Sequence, residues 1–159
     1  MVNLVENLQL VEAINPKTTN GALTGDYISL KNAKRAWIVL NFTQAAGHAT
    51  AITVEQATNV AAGGTKAIAT VVPIWANEDT AATDTLVRQT DAVAFTVANN
   101  IKNKQVVFQI DPSTLDIAGG FDCITVKTAA SSETTNFVSA IYIIDTKYAK
   151  ATPESAIID

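Results

Sequence analysis

Turn-forming residues recur along this chain at intervals too short to leave room for long helices. Asn15-Pro16, Asn20-Gly21, Gly47, Gly63-Gly64, Asn99-Asn100, Asp111-Pro112 and Gly119-Gly120 punctuate it from end to end. Several stretches between them alternate apolar and polar residues with a period of two. Asp26-Tyr-Ile-Ser-Leu30, Ile52-Thr-Val-Glu-Gln56 and Val106-Val-Phe-Gln-Ile110 read as strands with one face on a core. Ala36–Phe42 and Val138–Ile144 are apolar at nearly every position, which predicts central strands covered on both faces. Lys66–Ile74, Ala94–Val97 and Phe121–Lys127 are further strand candidates. Eight or nine short strands separated in this way predict an all-β fold, an antiparallel β-sandwich or a jelly-roll-like domain.

The N-terminal stretch supports two readings. Leu4, Leu8 and Val11 fit one helical face, whereas Leu8 and Leu10 among Asn7, Gln9 and Glu12 fit a strand. The strand is preferred, over Leu8–Ala13, preceded by an extended arm. The chain is accordingly divided into an arm or first strand (1–14), a sandwich domain (15–148) and a C-terminal tail (149–159). Glu78–Thr85 reads as a long loop, and Ser113-Thr-Leu-Asp116 as a single helical turn capped by its serine. Met1–Glu6 lacks the basic start and small-residue cleavage site of a secretory signal, so none is expected. The greasiest stretch, Ala67–Ala76, contains Thr70 and Pro73 and is far shorter than the ~20 residues a spanning helix needs. These features predict a soluble protein made in a cytoplasm.

Composition narrows the chemistry. In 159 residues there are one His and one Cys, so a zinc site with several such ligands is excluded by count. A net charge of −4, with scattered basic residues, argues against a dedicated nucleic-acid surface. His48 lies in the small-residue stretch Ala45–Thr50 and reads as a loop residue with local hydrogen bonds. Glu78, Asp79 and Asp84 concentrate carboxylate in one loop, but without the spacing or the turn glycine of a calcium loop. Asp79, Asp84, Asp111, Asp116 and Asp122 offer pairs for glycoside chemistry, as any β-rich chain with 15 acids does. Cys123 leads into an apolar strand and reads as a small buried hydrophobe. No P-loop, G-x-S-x-G or G-x-G-x-x-G is present. No enzyme activity, catalytic residue, metal or cofactor is expected.

What the composition favours is an assembly part. The 26 alanines and 21 threonines are small or β-branched and lose little side-chain entropy when covered. Val2, Leu4, Leu8, Ile157 and Ile158 are hydrophobes in terminal segments too short to form cores of their own. They are the candidate interface residues, the alternative being that both ends dock on their own domain. Both tryptophans, Trp37 and Trp75, sit in apolar runs, which favours burial over a sugar-stacking role.

The segments Gly25-Asp-Tyr-Ile-Ser-Leu-Lys-Asn-Ala33, Trp75-Ala-Asn-Glu-Asp79 with Asp84-Thr-Leu86, Gly120-Phe-Asp-Cys-Ile124 and Ala130–Asn136 carry a likeness. Together, over roughly residues 22–148, the chain resembles small virion structural proteins of tailed phages and prophages. The resemblance implies a capsid auxiliary or decoration protein on the outer head surface, bridging capsid subunits. It implies the major capsid protein and neighbouring copies of the chain as partners, without direct nucleic-acid or membrane contact. A tail, neck or baseplate component and a virion-surface carbohydrate-binding or adhesin module are the alternatives.

Overall fold

A computed structural model describes residues 4–158. The fold is nearly all β, with twelve strands in two antiparallel sheets that face each other as a sandwich. In chain order the strands are β1 (Leu8–Thr18), β2 (Leu23–Thr24), β3 (Ile28–Ser29), β4 (Ala33–Thr43), β5 (Ala51–Ala57) and β6 (Lys66–Ala67), then β7 (Ile74–Asn77), β8 (Val87–Arg88), β9 (Ala94–Thr96), β10 (Asn103–Ile110), β11 (Cys123–Thr128) and β12 (Phe137–Thr146). One sheet runs β1-β12-β4-β10-β7-β8. The other runs β2-β11-β5-β6, with β3 also on β11 and β9 also on β5.

Alternation builds the core. Ala36, Ile38, Leu40 and Phe42 of β4, Val106, Phe108 and Ile110 of β10, and Val138, Ala140, Tyr142 and Ile144 of β12 point inward and are buried. They meet Ile52 and Val54 of β5 and Ile124 and Val126 of β11 in one continuous hydrophobic cluster. The segment between β2 and β3 ties one side of the sandwich together. Gly25 N–H donates to Val126 O at 2.8 Å, and Asp26 N–H donates to Ala13 O at 3.0 Å. Both sheets are therefore bonded to adjacent residues of a single segment.

The strand count exceeds the expected eight or nine because β2, β3, β6 and β8 are two-residue pieces, below what periodicity can resolve. Lys66–Ile74 is not one strand: β6 ends at Ala67, only an isolated bridge joins Val72 to Ala92, and β7 begins at Ile74. Pro73 lacks the N–H a continuous ladder needs; its carbonyl accepts Gln109 N–H at 3.0 Å instead. At the N-terminus, Leu4–Asn7 form one α-helical turn, α1, in place of an extended arm. The following strand continues past Ala13 to Thr18 through register shifts against β12, so the 14/15 boundary falls inside β1. The turn after β10 is a 3₁₀ turn over Pro112–Thr114 whose cap is Asp111 and not Ser113. The Asp111 carboxylate accepts from Ser113 N and Oγ at 2.9 and 2.7 Å, with proline in the first position.

A larger correction concerns β4 and β12. Both are interior strands, but only one face of each is covered. Trp37 and Val39 are half-buried on the outer face, and Ile141 is 39 % exposed there. These residues shield one another through cross-strand pairing, which an uninterrupted apolar run cannot distinguish from burial under a second layer.

Candidate functional site

The outer face of the β1-β12-β4-β10-β7-β8 sheet is a feature that the core does not explain. The pairing registers align one residue from every strand in a single transverse row. Glu12 lies beside Ile141, Ile141 beside Val39, Val39 beside Val107, Val107 beside Trp75, and Trp75 beside Arg88. Four apolar side chains are thus flanked by an acid on the β1 edge and a base on the β8 edge. The next row, Leu10, Ile143, Trp37 and Gln109, extends the apolar area, and Leu10 is 52 % exposed. Asn41 and Gln105 lie beyond it on the other side, joined by a 2.9 Å amide hydrogen bond. The other sheet presents a different outer surface, where Lys127 Nζ meets Glu55 Oε2 at 2.7 Å.

Both tryptophans lie on this apolar face and are half-buried. The Arg88 guanidinium sits 4.8 Å from the Trp75 ring centroid, and that of Arg35 sits 5.9 Å from Trp37. Arg88 also pairs with the exposed Asp91 on its own chain. Trp37 Nε1–H donates to Gln109 Oε1 at 3.2 Å. The expectation of burial for the two rings, drawn from their apolar neighbours in sequence, holds in part: both rings are half-buried, on the outer face and not in the core. Those neighbours alternate between the core and this outer surface.

The two chain ends meet at one end of the sandwich. Lys150 N–H donates to Glu6 O at 3.3 Å, Gln9 Nε2 to Glu154 O at 2.8 Å, and Ser29 N–H to Ala156 O at 2.7 Å. Ala156 is buried in the core cluster. The tail therefore docks on its own domain through Glu154 and Ala156. Lys150 at 2.5 Å holds the Glu154 carboxyl below its ordinary range. A concavity of about 540 Å³ remains beside the tail, lined in part by Gln9, Lys31, Tyr148 and Ile158. Of the candidate interface residues, Leu8 is half-buried in β1, while Leu4, Ile157 and Ile158 are 51 %, 48 % and 69 % exposed. Val2 lies outside the described residues.

The candidate chemical residues are dispersed. His48 is half-buried, with Nδ1 3.2 Å from Thr50 Oγ1 and its carbonyl accepting from Gln44 Nε2 at 2.6 Å. The acidic loop is divided among lysines: Asp79 meets Lys102 at 2.7 Å, and Glu78 faces Lys104 at 3.5 Å. The hydrogen bond from Lys102 lowers the Asp79 pKa. Asp116, 2.5 Å from Lys66, is lowered in the same way. Cys123 is fully buried at the start of β11. Among the described residues, no three acids, histidines or cysteines gather as a metal site, and no helix is long and apolar enough to cross a membrane.

One polar site escapes a reading of the sequence. Lys104 points inward from β10 with its side chain wholly buried. Its ammonium donates to Gln44 Oε1 and to the Ala98 carbonyl. Desolvation lowers its pKa, and the facing Glu78 opposes that shift. Glu78 also accepts Ala98 N–H at 3.2 Å, so the lysine and the acid together pin this loop to the end of the sandwich. The signal present in the sequence is phase: Lys104 shares the inward register of Val106, Phe108 and Ile110.

No family model and no curated protein sequence matches the chain. Among solved structures, the chain is similar to the SPBc2 prophage-derived protein YomS, at 8 % identity and a TM-score of 0.48, covering 87 % of this chain and 92 % of that one. It is also similar to a structure described as "CBM4 structure and function", at 10 % identity and a TM-score of 0.33, covering 89 % and 70 % respectively. At such identities neither likeness speaks to any surface residue of this chain.

Proposed function

We propose that the chain is a non-enzymatic structural protein of a tailed-phage virion, acting as a decoration protein on the outer surface of the head. In this role it stabilises the shell by bridging neighbouring capsid subunits. The phage assignment draws on the resemblance of the segments from Gly25 to Asn136. The structural observation that carries the assembly role is the apolar row Ile141–Val39–Val107–Trp75 on an open sheet face. Soluble monomers rarely leave large contiguous apolar surface uncovered, and such a face reads as a protein-contact surface. The exposed terminal hydrophobes Leu4, Ile157 and Ile158 supply a second set of contacts, to the major capsid protein. The net charge of −4 disfavours direct contact with packaged nucleic acid. Gold-labelled antibody on intact virions tests the placement: label on heads supports it, and label confined to tail, neck or baseplate replaces it with that alternative.

A second reading has its own observation. Trp37 and Trp75 lie on one open face beside Arg35, Gln109 and Arg88, an arrangement of aromatic and polar groups that a sugar-binding surface also uses. Against it, a guanidinium already lies over each ring. Tryptophan fluorescence titrated with host cell-wall oligosaccharides separates the two. A saturable shift favours the carbohydrate-binding or adhesin role; an unchanged spectrum favours the structural one.

A further inference from the structure

We propose that the outer face of the β1-β12-β4-β10-β7-β8 sheet is covered by the same face of a second copy of this chain, related by a two-fold axis parallel to the strands between β4 and β10. This pairing deepens the assembly reading above by naming one of its interfaces, and the geometry of the transverse row selects it.

Rotation about that axis sets β4 against the partner's β10, β12 against its β7, and β1 against its β8. Along the row, Val39 then meets the partner's Val107, and Ile141 meets the partner's Trp75. At each end Glu12 meets the partner's Arg88, so acid faces base twice. One level along the strands, Asn41 faces the partner's Gln105, giving each amide a second amide to bond. A two-fold axis in the face but across the strands keeps each edge over itself. It places Glu12 near the partner's Glu12, acid against acid, and brings Arg88 near the partner's Arg88 with each still paired to its own Asp91, so neither end gains an opposite charge. Charge therefore distinguishes two arrangements that apolar burial alone leaves equal.

The size is that of a small interface. The four long strands β1, β12, β4 and β10 span about 14 Å at the usual spacing and about 27 Å along β4 from Arg35 to Thr43, while β7 and β8, four and two residues long, widen the face only around the central row. The projected face is about 500 Å², at the lower end of the roughly 800 Å² of accessible surface that each partner contributes to a standard interface. Aligned sheets pack face to face at about −30° because both are twisted. Where the twist splays the edges apart, the long side chains of Glu12 and Arg88 provide the reach.

Sedimentation velocity of the purified full chain over a range of concentrations tests the pairing in the absence of any capsid. A dimer is expected, and Val39→Asp should render it monomeric with an unchanged circular dichroism spectrum. Glu12→Arg and Arg88→Glu, each at an exposed edge, should weaken association at least tenfold singly, and the double exchange should restore it. A wild-type chain that stays monomeric at high micromolar concentration overturns the proposal. So does a dimer indifferent to Val39→Asp, and so does a double exchange no tighter than the single ones. A dimer that forms as described but never binds capsids refutes the decoration role and leaves this interface standing.

Discussion

The Tyr142 hydroxyl, carried by β12 of one sheet, accepts the Val126 N–H of the opposite sheet at 3.1 Å. It also donates to the Asp26 carbonyl at 2.9 Å. A fully buried phenol thus serves as a polar tie between the two sheets, and burial pushes its pKa well above the ordinary tyrosine value. Tyr142→Phe keeps the ring, strands the buried Val126 N–H and removes the donor to the Asp26 carbonyl. Loss of about 1–3 kcal/mol is expected, read as a lower urea midpoint with an unchanged fold.

Gly25 depends on the same contact. A Cβ built there would lie 3.0 Å from Ala13 O, 3.2 Å from Tyr142 Oη and 3.3 Å from Val126 Cγ1. Gly25→Ala must push apart the point at which the two sheets are bonded to one segment. A cost of about 1–3 kcal/mol is expected, measured by thermal melting. Gly21 has open space where a Cβ would stand and should accept alanine with little change.

Lys104→Met retains the buried stem and removes the ammonium. Gln44 Oε1 and Ala98 O lose their donor, while Glu78, 33 % exposed, can rehydrate. Destabilisation of about 2–3 kcal/mol is expected in urea unfolding, together with faster amide exchange in residues 98–102 as the loop comes free.

Acid should weaken the fold through carboxylates held below their ordinary values. Asp79 is lowered chiefly by the hydrogen bond from Lys102, and Asp116 by the one from Lys66, each from 3.8. As the pH falls through 3.8 the unfolded chain takes up these protons before the folded one does. Their contribution is thus intact at pH 7 and fades as the pH drops below about 4 toward the folded values. Unfolding midpoints at pH 7, 4 and 2.5 should decline in that order, and Asp79→Asn with Asp116→Asn should flatten the decline.

The terminal segments separate docking from partner contact. Removing residues 153–159 takes away the Ala156 carbonyl that accepts Ser29 N–H and opens the core at Ala156, so the melting temperature should fall. Ile157→Asp with Ile158→Asp alters only exposed side chains. That double variant should melt like the parent and be retained less well on capsids in a pelleting assay.

The sandwich is legible in the sequence because its long strands carry period-two alternation, from Ile52–Gln56 to Val106–Ile110. What one strand cannot reveal is what covers its second face. Trp37, Val39 and Ile141 read as buried because their apolar neighbours do, yet they look outward. The row from Glu12 to Arg88 depends on five separate registers and has no trace in any local window. Lys104 is hidden for the opposite reason: a charge in a strand is ordinarily assigned to solvent, and only its phase places it inside. His48 and Cys123 are simpler, since a loop histidine bonded to a nearby threonine and a cysteine opening an apolar strand follow from local sequence.

The decoration role is tested most directly by titrating the purified full chain onto capsids of the parent phage that lack it, and following the bound fraction by co-sedimentation. Saturation at a fixed ratio to the major capsid protein, with a raised capsid melting temperature, is the expected result. Failure to pellet with capsids at any ratio, with their melting temperature unchanged, would contradict it.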